Sequence, residues 1–300
     1  MMKTMFLLRN SGILLLTAFF FLTFQTVRAA LSDGLVSYWP MEEVVGGKTP
    51  DLVSGYDMTL NNLTSADQVA GKVGKCFSFS NAKQTLLSRI HGANDDLPAN
   101  KHDAFTVSFW AKVAGNGQVD LRLFSEGFTP NNNNPLFNLG VDSAGTSGKL
   151  DVFIRNGTVE TVNHLKTTAE PFDDTWQYIT FVQQADGTRT VYVNGAADDV
   201  ALAARPAGGY LPANDTTIGG ILRASASHWV TGLIDEVAIW KRALTLAEIT
   251  QLVAEGLISV FPPEAVGLVA HWPMEEVIGG KTPDLVSGYD MTLNNLTSAD

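Results

Sequence analysis

The 300-residue chain has one cysteine, no run of Lys or Arg longer than two, and only 17% charged residues. A lone cysteine excludes an intrachain disulfide framework and any Cys-rich zinc module. Basic residues are outnumbered, 20 Lys and Arg against 31 Asp and Glu, for a formal charge of −11. Without a basic cluster, the balance argues against nucleic acid or an anionic membrane surface as partner. Catalytic signatures are missing too. There is no Gly-x-Ser-x-Gly elbow, no His-x-x-x-His or His-Glu pairing for zinc, and no Gly-rich phosphate loop followed by Lys-Ser/Thr. The histidines at 91, 102, 164, 228 and 271 are scattered along the chain and read as surface or loop residues.

What is present begins with a processing segment. Lys3 and Arg9 precede a 12-residue apolar stretch at 13–24, and Val27-Arg28-Ala29 puts small or aliphatic residues at −3 and −1 of a cleavage point. A membrane-spanning helix needs about 20 apolar residues, so residues 1–29 read as a secretory signal peptide rather than an anchor. Its removal takes away Lys3, Arg9 and Arg28 and no acid, moving the formal charge from −11 to −14. The mature protein is then expected to be secreted, extracellular or on a cell surface, with no membrane insertion. Cys76 lies in the alternating run Lys75-Cys76-Phe77-Ser78-Phe79 and is expected to pack as a small buried hydrophobe.

The C-terminus carries an unusual feature. Residues 34–67 reappear at 267–300 with 31 of 34 positions identical; the differences are Ser37/Ala270, Tyr38/His271 and Val45/Ile278. The offset of 233 residues is far beyond the roughly 20–50 of a solenoid repeat, so it reads as duplication of a whole domain. The expected organisation is one domain over 31–257, a short linker over 258–266 that includes Phe261-Pro262-Pro263, and the truncated start of a second copy over 267–300. Tandem copies of the same domain are therefore expected partners.

Between the ends the pattern has period two, broken by turn residues. Phe105, Val107, Phe109, Ala111 and Val113 share one face of a strand, as do Leu150, Val152 and Ile154. Residues 176–184 and 189–194 form a hairpin across Ala185-Asp186-Gly187-Thr188, and Asn194-Gly195 suits a type I′ turn. Many short strands with turns between them indicate an all-β sandwich or jelly roll. The single helix expected starts at the capping box Thr245-Leu246-Ala247-Glu248 and stops at Gly256.

Several of these segments carry a family resemblance. Gly232-Leu233-Ile234-Asp235-Glu236-Val237-Ala238-Ile239-Trp240 through Leu244, then Glu248-Ile249, resembles the C-terminal signature of LamG-like, concanavalin A-like jelly-roll domains. The N-terminal counterpart is residues 35–43 with Asp51, Ser54 and Gly55; Asp174-Thr175-Trp176, Tyr192-Val193-Asn194-Gly195 and Ile218-Gly219 follow in the family's order. The sequence departs from the common pattern at Gln177, Asn194 and Tyr56-Asp57. The resemblance implies a two-sheet antiparallel jelly roll whose first and last strands pair. It also implies a binding or adhesion module for carbohydrate or protein, often calcium-dependent.

Some glucanases share this fold, and glycosidases need two carboxylates about 5–9.5 Å apart. On a regular strand Asp235 and Glu236 point to opposite faces, with no second carboxylate on either. That argues against catalysis. Asp235, on the face of Val237 and Ile239, is an expensive burial unless paired or bound to a metal. Asp51, in the loop after the first strand, is the expected second ligand of a structural Ca²⁺; pairing of Asp235 with Arg242 or backbone amides is the alternative. Asn132 and Asn133, within a run of four asparagines, and Trp229 are candidate ligand-binding residues. The sequence thus predicts a non-catalytic module for a glycan or an extracellular protein. A ligand-free structural spacer and a glucanase relative are the alternatives.

Overall fold

Phe105, Val107, Phe109, Ala111 and Val113 all enter one core, as their period of two requires. Thr106 and Ser108, between them, point the other way. The computed structural model describes residues 31–130, 134–157, 160–207, 213–257, 281–282 and 291–292. The expected signal peptide and linker lie outside these, as do Asn132 and Asn133. No helix among the described residues is long and apolar enough to cross a membrane.

The strands are, in chain order, β1 (Leu35–Trp39), β2 (Lys48–Thr49), β3 (Met58–Asn61), β4 (Gln68–Ala70), β5 (Lys75–Phe79), β6 (Leu86–Ile90), β7 (Phe105–Ala114), β8 (Arg122–Gly127) and β9 (Leu136–Val141). They continue as β10 (Leu150–Asn156), β11 (Glu160–Lys166), β12 (Asp173–Gln183), β13 (Arg189–Val193), β14 (Ala196–Ala197), β15 (Asp215–Ile218), β16 (Ile221–Leu222), β17 (Ala226–Ser227) and β18 (Gly232–Trp240). Helix α1 is Leu246–Glu255. Two eight-stranded antiparallel sheets result. The first runs β14-β13-β12-β7-β18-β5-β4, with β1 also paired to β18; the second runs β11-β10-β9-β8-β15-β6-β3-β2. This is the all-β jelly-roll sandwich expected, and its first and last strands pair, Trp39 opposite Val237.

Aromatic rings lock the sheets together. Phe137 of the second sheet lies 5.5 Å from Phe105 and 4.9 Å from Phe181 of the first, and 6.0 Å from Phe124. Such tilted and edge-on pairs add to the area they bury. Local signals also hold. The β12–β13 hairpin forms, and Asn194 and Gly195 take positive φ values of 50° and 83° between β13 and β14. Thr245 and Glu248 form a reciprocal capping box, and Gly256 ends α1 at φ 65°. Cys76 is fully buried, and burial pushes its thiol up to about 12.

One expectation fails, and the reason is a β-bulge. Ile234 and Val237 both enter the core, so the two residues between them, Asp235 and Glu236, are both turned away from it. The register against β7 shifts between Asp235 and Ala238, and Glu236 has φ 54°. The two carboxylates therefore share a face instead of occupying opposite ones.

The chain divides into two compact units, Met1–Gly256 and Leu257–Asp300. In the second, β19 (Lys281–Thr282) pairs with β20 (Met291–Thr292), Lys281 opposite Thr292. The same register, Lys48 opposite Thr59, joins β2 to β3 in the first. The repeated sequence folds into a repeated hairpin.

Candidate functional site

The outward positions of β8, β9 and β10 build a concave patch on the second sheet. Phe137, Leu139, Val152 and Ile154 face the core, so Leu136, Asn138, Phe153 and Arg155 face out, joined by Arg122. Asn163 and His164 of β11 close one side. Ile221, Arg223 and His228, from the β16–β17 hairpin and its flank, close the other. With Asp120 these residues enclose a cavity of about 230 Å³. Beneath it Leu136, Phe153 and Ile221 form a small buried cluster separate from the main core, and most of the surface exposed in the cavity is polar. Gly140 is required here: a Cβ would sit 2.3 Å from the Leu121 carbonyl and 3.2 Å from Arg122 Nη1.

The rim is charged and hydrogen-bonded. Arg122 Nη2 donates to Asp120 Oδ1 at 2.6 Å, and His228 Nε2 lies 3.4 Å from Asp120 Oδ2. His164 Nδ1 lies 3.0 Å from Asp151 Oδ1 and 3.8 Å from Asp120 Oδ1. Burial would raise the Asp120 carboxyl, but His228 and Arg122 outweigh it and hold the group down at about 2. Burial, followed by the like charge of Arg122, pulls the Arg223 guanidinium below its ordinary value. Arg122 is only 5% exposed, yet its Nε and Nη1 have no hydrogen-bond partner; neither does Oδ1 of the buried Asn138. Arg155 stacks over the Phe153 ring at 5.1 Å.

Backbone strain collects at the same place. Asp120, His164 and His228 have φ of 59°, 56° and 56°. Asp and His tolerate this left-handed region better than most residues, but it still costs energy and is enriched at functional positions. Register shifts in β8 and in the β10–β11 pair accompany it, the device by which sheets re-aim side chains.

A second depression, of about 540 Å³, lies on the same sheet. Leu60, Asn61, Leu86, Ser88, Leu222 and Trp229 contribute to its wall. Trp229, expected as a ligand contact, is thus placed at a concave surface, and it bridges Arg122 of the first cavity through a parallel β-bridge.

Asp51 and Asp235 are not brought together in this way. The two oxygens of Asp51 accept from the amides of Tyr38, Val53, Ser54 and Tyr56 at 2.8–3.2 Å. Asp235 Oδ2 accepts from the amides of Lys72 and Val73, while Oδ1 has no partner. Arg242, the alternative partner, is engaged with Glu248 at 2.7 Å. Tyr38 donates its hydroxyl proton to Glu236, and the Lys75 amide points at Glu42. N–H and O–H donors thus hold these carboxylates at all but Asp235 Oδ1, the wrong polarity for a cation. Among the described residues no group of three or more His, Cys, Asp or Glu has metal-binding geometry. The residues as placed do not fit a Ca²⁺ ion.

Sequence reasoning did not single out Asp120, Arg122, Asn138, Arg155 or Arg223, and it read the histidines as unconnected. The available signal was outward-facing Arg and Asn on strands whose other face is apolar. Nothing local showed that they converge.

Residues 90–250, more than half the chain and all of the first cavity, match the laminin G-type model described as the concanavalin A-like lectin/glucanases superfamily. The chain belongs to that superfamily. The human adhesion G-protein coupled receptor D1 is 24% identical over 224 residues, 71% of this chain and 22% of the receptor. The ligand-binding domain of botulinum neurotoxin serotype D, solved with N-acetylneuraminic acid, superposes with a TM-score of 0.56 at 11% identity, over 77% of this chain and 53% of that one. Domain 4 of a Geobacillus stearothermophilus extracellular arabinanase, solved with arabinotriose, superposes at 0.51 and 18% identity, over 73% and 98% of the two chains. The chain spans about a fifth of the receptor and about half of the toxin domain. These likenesses carry the fold.

Proposed function

We propose that the protein is an extracellular, non-catalytic binding module that recognises carbohydrate through the outer face of its second sheet. The observation that carries this reading is the pair of neighbouring depressions on that face, the first lined mainly by polar groups and the second mixing polar groups with apolar surface. Sugar ligands ask for that mixture: an apolar patch under the C–H face of a ring and convergent polar groups at its hydroxyls. The sugar-bound toxin and arabinanase domains on the same fold support it. Repetition supports it further, because tandem copies of a weak binding domain gain avidity without new contacts.

A glycan array probed with the full chain tests the reading. Selective capture that Trp229→Ala or Arg155→Ala reduces is the expected result. Absence of any glycan signal, with or without Ca²⁺, would leave the spacer reading in its place. Calcium is separable. A melting temperature raised by Ca²⁺ and insensitive to it after Asp235→Asn would restore the clamp; unchanged melting removes it. Secretion is checked by N-terminal sequencing of exported protein, with cleavage expected after Ala29.

A further inference from the structure

We infer that the 230 Å³ cavity is a subsite for a single sugar ring bearing an anionic group, a carboxylate or a sulfate. The inference rests on the carbohydrate reading above and adds the location and the ligand class. Charge is the first argument. The chain has a formal charge of −11 and nine arginines, and three of the nine line this one cavity. Against Arg122, Arg155 and Arg223 stands a single lining carboxylate, Asp120, already taken up by Arg122 and flanked by His228. Asp151, beneath the rim, is engaged with His164. A further anion is the chemistry that this surplus of guanidinium groups accommodates, since their planar fork pairs with carboxylate and sulfate oxygens.

The second argument is the cost already present in the fold. A buried guanidinium with two unpartnered nitrogens, and a buried amide oxygen without a donor, each carry a desolvation penalty. Both residues line the cavity. An anionic oxygen would satisfy Arg122 Nη1, and a ring hydroxyl would satisfy Asn138 Oδ1. Three left-handed backbone positions around one rim mark the same spot.

The third argument is shape. Leu136, Phe153 and Ile221 lie almost fully buried beneath the cavity, so the surface it offers is mainly polar and suits the hydroxyls and the anionic group of a sugar ring. The volume lies just below the roughly 300–1,000 Å³ of drug-sized sites, so one ring fits and an extended chain does not. The larger depression beside Trp229 offers space for a neighbouring residue of the glycan.

Isothermal titration of the full chain with glucuronate, galacturonate, N-acetylneuraminate and glucose 6-sulfate, against neutral glucose and galactose, tests the assignment. The acidic sugars are expected to bind about tenfold or more tightly than the neutral ones, because a charge-assisted hydrogen bond contributes about that ratio. Their binding is expected to weaken with added salt. Arg155→Ala, at a part-exposed strand position, is expected to cost about tenfold. Lys83→Ala, which removes an exposed cation elsewhere, is expected to cost nothing. Melting curves establish that each variant is folded. Neutral sugars binding as well as acidic ones, or Arg155→Ala binding as well as the parent, would overturn the anionic subsite and leave the carbohydrate reading standing. Binding of no sugar at all would overturn both.

Discussion

The outer faces of the two sheets start from the same alternation and end as opposites. On the first sheet Tyr38, Cys76, Trp110, Tyr178, Asp235 and Glu236 are buried. Loop amides from residues 72–75 and the Tyr38 hydroxyl reach in to satisfy the acids. On the second sheet Arg122, Arg155, Arg223, His164 and His228 surround an open cavity that keeps polar atoms unpartnered. One face is acidic and mostly held by its own loop amides, with Asp235 Oδ1 left over; the other is basic and leaves Arg122 and Asn138 atoms unpartnered beside a cavity. Buried polar groups are normally hydrogen-bonded. The basic face combines unpartnered atoms with a cavity and is where a ligand is to be sought. On the acidic face, which the sequence marked out for calcium, backbone amides and the Tyr38 hydroxyl hold most of the carboxylate oxygens.

That contrast is broken most severely by removing what the faces share. Phe137→Ala would empty the ring cluster between the sheets and is expected to destabilise the domain by about 3–5 kcal/mol, read by urea unfolding. Both faces should be lost together. If a Phe137→Ala protein unfolds at the parent's urea midpoint, the two faces do not depend on this core contact.

Next in size is the pH response of the acidic face. Burial, then the charge of Glu42, holds Asp235 up at about 7, and burial, then the charges of Asp235 and Glu42, holds Glu236 up at about 8, above the ordinary carboxylate range. Folded-state values above unfolded ones mean that the fold carries no ionisation penalty below about pH 4. It then loses stability as pH rises through 7 and 8. The melting temperature is expected to fall between pH 5 and pH 9. The Asp235→Asn, Glu236→Gln double variant should flatten that fall and be more stable than the parent at pH 9. Part of the slope should remain, because burial also holds Glu126 up at about 7 and Asp215 at about 8. A double variant with the parent's full slope would show that the pair does not ionise within the fold.

The basic face should behave in the reverse way, affecting binding rather than stability. Arg155→Ala is expected to leave unfolding within about 0.5 kcal/mol of the parent, as surface substitutions do, while weakening acidic sugars as described above. A large stability loss would make Arg155 a structural residue and blur the contrast. Smallest of all is the salt response. Between 50 and 500 mM NaCl, affinity for an acidic sugar should fall while affinity for a neutral sugar stays level. Parallel behaviour of the two would place the binding away from the arginines.

Much of the fold was legible because its signals are local. Phe105 to Val113, the Asn194-Gly195 turn and the Thr245/Glu248 cap each depend on a few consecutive residues, and each forms as expected. Cys76 is buried as its alternating run implied. The pairing of β1 with β18 came instead from family resemblance, since nothing in either segment names the other. The candidate site was mostly illegible. Trp229 was picked out and does line a depression, whereas Asn132 and Asn133 lie outside the described residues. Asp235 drew attention as a buried acid and Asp51 as a loop acid able to approach it; both are buried, and backbone amides hold them. The adjacency argument for Asp235 and Glu236 failed because it assumed a regular strand, and the bulge at φ 54° is set by how β18 registers on β7.

By itself the sequence determined the all-β class, the capped helix, the burial of Cys76 and the repetition of residues 34–67 at 267–300. These follow from period-two patterning, turn chemistry and identity, none of which needs the rest of the chain. Only the tertiary structure decided that Arg122, Arg155, His164, Arg223 and His228 share one cavity. Their convergence depends on the sheet order β11-β10-β9-β8 and on the β16–β17 hairpin folding back beside it. Left-handed turns at Asp120, His164 and His228 then aim the side chains inward. Those are long-range pairings, and no window of neighbouring residues contains them.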